Sequence, residues 1–180
     1  VPEGTVAGVY KYATDYKGVI TGITIDPKSG EMSFGWQIVM PPFDYDLGDA
    51  GKKVSNGYVF STSYNTEKAT GKLEVTSTQK DRDYIAMVDW KLAEKSAAEG
   101  KGKMIGGVKV LDPKEIPGLV YFLPCGKSPH GVDVSPDGKY IVVGGKLDTQ
   151  ASVYSFDKIK GAKGTQVRLD IVPAEAVLDS

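Results

Sequence analysis

The sequence contains one cysteine, one histidine, no long apolar run and no block of like charges. The single cysteine, Cys125, excludes an internal disulfide but leaves the redox compartment open. The single histidine, His130, excludes a self-contained zinc or copper site built from several imidazoles. No apolar run approaches the roughly 18 residues that would span a bilayer. With 22 basic and 23 acidic residues and a net charge of -1, the chain offers no electrostatic footprint for nucleic acid.

Glycine and proline, in contrast, are spread along the whole chain. The 180 residues include 22 glycines and 10 prolines, which lie between short runs of β-branched and aromatic residues. This pattern is typical of many short strands joined by turns, and it predicts an all-β fold. One helix is predicted over residues 91–98, ended by Gly100. The predicted strands are 19–26, 32–40, 57–64, 84–90, 108–111, 119–123, 131–134, 140–143, 152–156 and 167–172.

Two turns predict how the strands are arranged. The sequences Ser135-Pro136-Asp137-Gly138 and Asp26-Pro27-Lys28-Ser29-Gly30 each separate two apolar runs. Proline presets one turn dihedral and glycine supplies a positive φ, so each pair of strands is expected to form a hairpin. A third strand after such a hairpin is common in propeller blades, although β-sandwiches use similar hairpins. At roughly 40 to 50 residues per blade, the chain would form a partial β-propeller of about three to four blades.

The length of the chain suits one domain, so residues 1–180 are expected to form a single partial propeller with its own core. The chain begins at Val1 without an initiator methionine or a targeting signal, and we expect it to be a segment of a longer gene product. An incomplete ring leaves bare strand edges and half-covered apolar faces. The isolated chain is therefore expected to aggregate.

Few side chains are suited to chemistry. His130 precedes a predicted strand, and from the residues alone a structural hydrogen-bonding role is favoured over a ligand role. Cys125 follows an apolar run, which favours a buried and unreactive thiol. Lys146 follows two glycines at a strand end, where it either faces water or adds positive charge to a channel.

Two polar segments contain several carboxylates. One is a loop that runs from Tyr64 and Glu67 to Asp83, and carboxylates at both ends of a loop can hold calcium together with backbone carbonyls. EF-hand spacing is absent, and composition alone favours a solvated loop. The other is the acidic segment 44–49, which is predicted to be a surface turn.

Several motifs occur in a specific order and at specific spacings. They are Gly35-Trp36-Gln37-Ile38-Val39-Met40-Pro41-Pro42-Phe43-Asp44, Thr62-Ser63-Tyr64-Asn65-Thr66-Glu67, Pro129-His130-Gly131, Ser135-Pro136-Asp137-Gly138-Lys139 and Gly145-Lys146-Leu147. Together they resemble the propeller domain of the nitrous-oxide reductase family over roughly residues 30–160. The middle motifs resemble those of the Sec-exported branch of that family more closely than those of the Tat-exported branch.

This resemblance implies a seven-bladed propeller and a copper enzyme of denitrification. Family members reduce nitrous oxide to dinitrogen and water with two electrons, at a sulfide-bridged four-copper cluster held by seven histidines. His130 matches the histidine of the family's Asn-Pro-His-Gly motif, which implies that it is one of these copper ligands. Lys146 matches the lysine of the family's Gly-Lys-Leu motif, which implies a catalytic role in polarising the bound oxygen atom or balancing the cluster charge.

The same resemblance implies a calcium ion beside the copper cluster. Tyr64 and Glu67 match the family's Ser-Tyr-Asn-x-Glu motif. Asp83 is the best match for the family's aspartate ligand, with Asp81 as a rival because the loop is one residue longer here. Ser128 stands where the family has asparagine, and it is at best a weaker ligand. A dication at this position would tie the loop to the histidine-bearing strand.

The resemblance also implies features beyond this chain. The parent enzyme would be a periplasmic homodimer that receives electrons from a donor such as a c-type cytochrome. Its C-terminal cupredoxin domain, with a dinuclear copper centre, is absent from this sequence, as are the other cluster histidines. We therefore expect the fragment alone to be inactive. The alternatives are a non-catalytic propeller for binding or scaffolding, and the propeller cap of a serine peptidase, whose Gly-x-Ser-x-Gly motif is absent here.

Overall fold

The computed structural model describes residues 18–40, 44–64 and 83–163. Within these ranges strands predominate and helices are few, which confirms the predicted all-β class. The strand predicted at 167–172 lies outside the described residues. The strands are β1 (Gly18–Ile25), β2 (Met32–Met40), β3 (Asp44–Ala50), β4 (Tyr58–Tyr64), β5 (Asp83–Asp89), β6 (Lys103–Ile105), β7 (Val108–Leu111), β8 (Val120–Cys125), β9 (Pro129–Val134), β10 (Tyr140–Gly145) and β11 (Ala151–Ser155). The helices are a 3-10 turn (Lys53–Ser55), α1 (Trp90–Ala98) and α2 (Phe156–Lys163).

The described strands form three sheets. The central sheet has the order β3-β4-β5-β8 and is antiparallel throughout. A second sheet, β9-β10-β11, is an antiparallel meander. The third sheet has the order β1-β2-β7-β6, in which the short hairpin β6–β7 joins β2 in parallel.

Both predicted hairpin turns are confirmed. After β1, Oδ1 of Asp26 accepts the backbone N–H two residues further on at 2.7 Å, and Gly30 has a φ of 72°. After β9, the hydroxyl of Ser135 donates to Oδ1 of Asp137 at 2.7 Å, and Gly138 has a φ of 77°. Short polar side chains satisfy the turn backbone, and glycine adopts the left-handed conformation without a steric cost. The two turns thereby fix the β1–β2 and β9–β10 pairings.

The predicted helix at 91–98 is confirmed as α1, which begins one residue earlier. At its start, Oδ1 of Asp89 accepts the backbone N–H three residues further on at 2.9 Å. At its end, Gly100 has a φ of 81°, and the N–H of Lys101 donates to the carbonyl of Ser96 at 2.9 Å, as in a Schellman motif. In the part of the chain that the structure describes, no helix has the length and apolar content needed to cross a membrane.

The central sheet has an apolar core on each face. Along β5, Ile85 and Met87 belong to one core, while Ala86 and Val88 belong to the other, as expected for a strand buried on both sides. The first core is shared with the β9–β11 sheet and α2, and the second with β2 and α1. This double packing fixes the position of the strand ends, where the candidate site residues lie.

The surface turn predicted at 44–49 is wrong, because these residues belong to β3 and pair with β4. Burial does not alternate along the strand. Its Leu47 is 51% exposed, and a register shift between Tyr45 and Gly48 interrupts the alternation. Backbone pairing with β4, rather than burial of its own side chains, holds this segment in the sheet.

Candidate metal centre

The candidate residues gather at one end of the central sheet. At this end Asp83, the first residue of β5, pairs with Cys125, the last residue of β8. Strand β9 begins after residues 126–128, and its Pro129 pairs with Gly145 at the end of β10. The predicted site residues that lie at or next to these strand ends are Tyr64, Asp83, Ser128, His130 and Lys146.

A buried carboxyl group contacts the turn that precedes the histidine. The backbone N–H of Ser128 donates to Oδ2 of Asp83 at 2.7 Å. Asp83 is 1% exposed and Ser128 is 0% exposed, so water does not compete for this hydrogen bond. Ser128 has a φ of 55°, in the left-handed region that residues other than glycine rarely adopt. The contact joins the start of β5 to the turn before β9.

Lys146 is joined to the same turn through its backbone. Its N–H donates to the carbonyl of Ser128 at 2.8 Å, and the N–H of Leu147 donates to the carbonyl of Lys127 at 3.3 Å. The side chain of Lys146 is exposed. The turn at 127–128 is therefore held by β5 on one side and by the end of β10 on the other.

His130 is the second residue of β9, and its ring is accessible to solvent. Its side chain is 54% exposed, and its Nε2 lies 4.0 Å from Oδ2 of Asp46. This distance is too long for a hydrogen bond, and the two side chains attract each other only when the imidazole is protonated. Asp46 lies where the register of β3 shifts, between Tyr45 and Gly48. The imidazole is thus open to groups approaching from outside rather than sealed in a core.

A second polar contact anchors the far end of β9. Oδ2 of Asp49 accepts the backbone N–H of Val134 at 2.9 Å and an N–H of the Lys52 ammonium at 2.6 Å. The same ammonium donates to the carbonyl of Val134 at 2.9 Å. Burial raises the pKa of the Asp49 carboxyl, but the hydrogen bonds from Lys52 and Val134 outweigh it, so the net pKa lies below 3.8. Strand β9, which carries His130, is thereby fixed to the end of β3 and to the residues that follow it.

Cys125 is half-buried beside this site and packs against the first core. Burial raises the pKa of its thiol, and the negative charges of Asp83 and Asp148 raise it further. A thiol that stays protonated is a poor nucleophile and a poor metal ligand. This environment agrees with the predicted unreactive role.

The calcium prediction falls only partly on described residues. Tyr64 ends β4, but its side chain, Glu67 and Asp81 lie outside the described residues. Asp83 and Ser128 are neighbours, because the backbone N–H of Ser128 donates to Oδ2 of Asp83. A carboxylate has two oxygens and several lone pairs, so the hydrogen bond from Ser128 does not prevent Asp83 from binding a cation. Carboxyl and hydroxyl oxygens are the donors that calcium prefers, so these residues fit the ion.

The copper prediction rests on one side chain of this chain. Among residues 18–40, 44–64 and 83–163, no group of three or more His, Cys, Asp or Glu side chains is arranged to hold a metal ion. His130 supplies one exposed imidazole, a donor type that suits copper. It therefore fits as a single ligand of a cluster that other polypeptide segments complete.

Comparison with known proteins finds relatives in the family that the motifs resemble. A nitrous-oxide reductase of Pseudomonas fluorescens is 29% identical over 141 residues, which cover 75% of this chain. A nitrous-oxide reductase of Cupriavidus necator is 30% identical over 152 residues, which cover 77% of this chain. The chain is homologous to a segment of nitrous-oxide reductase. No family model matches the sequence.

The nitrous-oxide reductase relatives are much longer than this chain, which spans 21% and 22% of their lengths. Among solved structures, the hydrazine synthase of Kuenenia stuttgartiensis has a TM-score of 0.47 at 14% identity, covering 90% of this chain and 46% of that one. A similarity of this size supports no inference about fold or function. The homology to nitrous-oxide reductase confirms the family that the motifs indicated.

Sequence reasoning missed the roles of Asp46 and Asp49, because it placed both in a surface turn. The alternation Asp44-Tyr45-Asp46 has the period of a strand, and it is the one local feature that could have indicated β3. The contacts of Asp49 with Val134 and of Asp46 with His130 join segments more than 80 residues apart, and no local pattern indicates them.

Proposed function

We propose that this chain is a segment of the catalytic domain of a copper-dependent nitrous-oxide reductase, whose parent enzyme reduces nitrous oxide to dinitrogen and water. The observation that carries the proposal is the 29% and 30% identity to two nitrous-oxide reductases across three quarters of the chain. The parent is a periplasmic homodimer that accepts electrons from a donor such as a c-type cytochrome. Its dinuclear copper centre belongs to a domain outside this sequence.

In this proposal the described sheets are blades of a seven-bladed propeller. The central sheet β3-β4-β5-β8 and the meander β9-β10-β11 have the antiparallel pairing expected of such blades. They pack face to face through the first apolar core, as neighbouring blades do. The candidate residues at one end of these sheets then border one mouth of the propeller channel.

Each candidate residue has a distinct role in this proposal. A copper–sulfide cluster, when bound, supplies the electrons that reduce nitrous oxide. His130 contributes one imidazole ligand to that cluster from the start of β9. The ammonium of Lys146 would place positive charge near the site, where it would stabilise negative charge that develops during the reduction. The calcium ligands are Tyr64, Glu67, Asp83 and Ser128.

The proposal is tested on the longer polypeptide that carries this chain, with and without the substitution His130→Ala. Copper content and nitrous-oxide consumption with a chemically reduced viologen are measured. We expect the unsubstituted protein to consume nitrous oxide, and His130→Ala to lose this activity together with the visible absorption of the cluster. Because the His130 side chain is 54% exposed, its removal should leave the fold intact. The isolated 180-residue chain should be inactive even with added copper.

A matched control is Asp133→Asn, which changes an exposed side chain on the same strand. It should retain both copper and activity. If the unsubstituted polypeptide binds no copper and consumes no nitrous oxide, the proposal fails and a non-catalytic propeller module takes its place. If the unsubstituted polypeptide is active and His130→Ala is equally active, His130 is not a copper ligand, but the proposed function stands.

The calcium assignment has a separate test in the same polypeptide. Glu67→Ala removes a proposed carboxylate ligand, and we expect bound calcium to fall. Glu94→Ala, on the exposed face of α1, serves as the control. Bound calcium that is equal in the Glu67 and Glu94 variants would exclude Glu67 as a ligand.

A further inference from the structure

We propose that Asp83 is a positioning residue for His130, acting through the backbone of Ser128. The role of the histidine rests on the proposed function, but the positioning itself does not. The carboxyl group of Asp83 accepts the Ser128 N–H at 2.7 Å, and both residues are almost completely buried. His130 follows two residues later, as the second residue of β9. The orientation of this turn therefore determines where β9, and with it the imidazole, begins.

The backbone conformation of Ser128 explains why the turn needs an external hydrogen bond. A φ of 55° is unfavourable for serine, because in the left-handed region its Cβ lies too close to the backbone. The surrounding structure must supply interactions that hold this conformation. The bond from Ser128 N–H to Asp83 is one, and the bond from Lys146 N–H to Ser128 carbonyl is another.

Of these two interactions, only the first uses a side chain and can be removed by substitution. A buried hydrogen bond to a carboxyl group is stronger than one between neutral groups. The other partner of the turn, Lys146, contributes its backbone N–H, which most substitutions leave in place. The side chain of Asp83 therefore helps to determine where β9 begins.

The experiment uses the metal-free 180-residue chain, kept below the concentration at which light scattering detects aggregates, because His130 is its only histidine and gives unambiguous imidazole NMR resonances. Amide hydrogen exchange at Ser128 and the His130 ring resonances are measured for Asp83→Ala and Asp83→Asn. In Asp83→Ala we expect Ser128 exchange to accelerate by at least about tenfold and the ring resonances to shift. In Asp83→Asn, which retains an acceptor oxygen, exchange should rise less and the ring resonances should stay in place.

Ser128→Gly in the Asp83→Ala background provides a rescue. Glycine adopts a positive φ without strain, so the His130 resonances should return towards their original positions although Asp83 is absent. The control Asp133→Ala, at an exposed carboxylate of β9, should change neither readout. If Asp83→Ala does not fold, Asp83→Asn decides, because ring resonances that move although the acceptor oxygen is retained contradict the proposal.

Ring resonances in a folded Asp83→Ala chain that coincide with the original ones would overturn the positioning role. The same conclusion follows if Asp83→Asn shifts the His130 ring resonances as far as Asp83→Ala does. Because no copper or substrate is present, these outcomes are independent of the nitrous-oxide reductase proposal. A failure of that proposal would show in activity and copper content, and would leave these measurements unaffected.

Discussion

The backbone N–H of Val134 donates a 2.9 Å hydrogen bond to Oδ2 of Asp49, which joins the end of β9 to the end of β3. The Lys52 ammonium bridges the same two residues, since it donates to the carboxylate of Asp49 and to the carbonyl of Val134. One carboxylate thus satisfies a backbone group and a cation at the junction of two sheets. Strand β9 is held by Asp49 at this end and by the Asp83–Ser128 contact at the other.

The substitution Asp49→Ala should lower the free energy of unfolding by about 1 to 3 kcal/mol, because it leaves the Val134 N–H without its acceptor and removes the carboxylate that pairs with the Lys52 ammonium. Urea unfolding at neutral pH measures this difference. Asp133→Ala, which removes an exposed carboxylate from β9, is the control and should change stability by less than about 0.5 kcal/mol. Equal effects of the two substitutions would contradict a specific role for Asp49.

The contribution of Asp49 should depend on pH in a defined direction. Burial raises its pKa, and the stronger hydrogen bonds from Lys52 and Val134 bring the net pKa below 3.8. A carboxyl whose pKa is lower in the folded state stabilises the fold above its unfolded pKa, and this stabilisation is lost as pH falls through the folded pKa. The stability difference between the original chain and Asp49→Asn should therefore be constant above about pH 5 and shrink below about pH 4. Urea unfolding from acid to neutral pH measures this stability difference. A difference that grows on acidification would show that the pKa of Asp49 is raised rather than lowered in the folded state.

Gly138 should tolerate no side chain. Its φ is 77°, and an added Cβ would clash with the carbonyl oxygen of Lys52. Gly138→Ala should destabilise the fold by about 2 kcal/mol or more, because it combines a strained φ with a clash against backbone. Gly144→Ala on β10 is the matched control, since its Cβ would meet no atom within 4 Å. Thermal unfolding of the two variants compares them directly, and similar melting temperatures would exclude the clash.

The elements predicted correctly from the sequence are those specified by nearby residues. Asp89 and Gly100 bound α1 through contacts within a few positions, and Ser135 and Gly138 specify the turn after β9 in the same way. Strand β3 was mispredicted because its stability comes from pairing with β4 rather than from its own pattern. Propensity and periodicity report local preferences, and pairing partners are not among them.

The candidate site could be predicted only as a set of residues. Motifs indicated Asp83, Ser128, His130 and Lys146, and the fold places all of them at neighbouring strand ends. The hydrogen bond between Asp83 and Ser128 spans 45 positions, and it depends on the register of β5 with β8. Such contacts arise from how strands align, which residue types alone do not specify.

The distal part of the β1–β2 hairpin exposes an apolar face that should make the isolated chain prone to aggregation. Ile23 pairs with Phe34 and Ile25 pairs with Met32, and all four side chains are 48–67% exposed. Cross-strand partners share a face, so these residues form one continuous apolar surface on a strand pair. The double substitution Ile25→Thr/Phe34→Thr keeps β propensity, and we expect it to raise the soluble fraction while changing unfolding free energy by less than about 0.5 kcal/mol. Light scattering at increasing protein concentration compares this variant with Leu147→Thr, which removes an exposed apolar side chain outside this face. If the two variants aggregate equally, a different surface causes the aggregation.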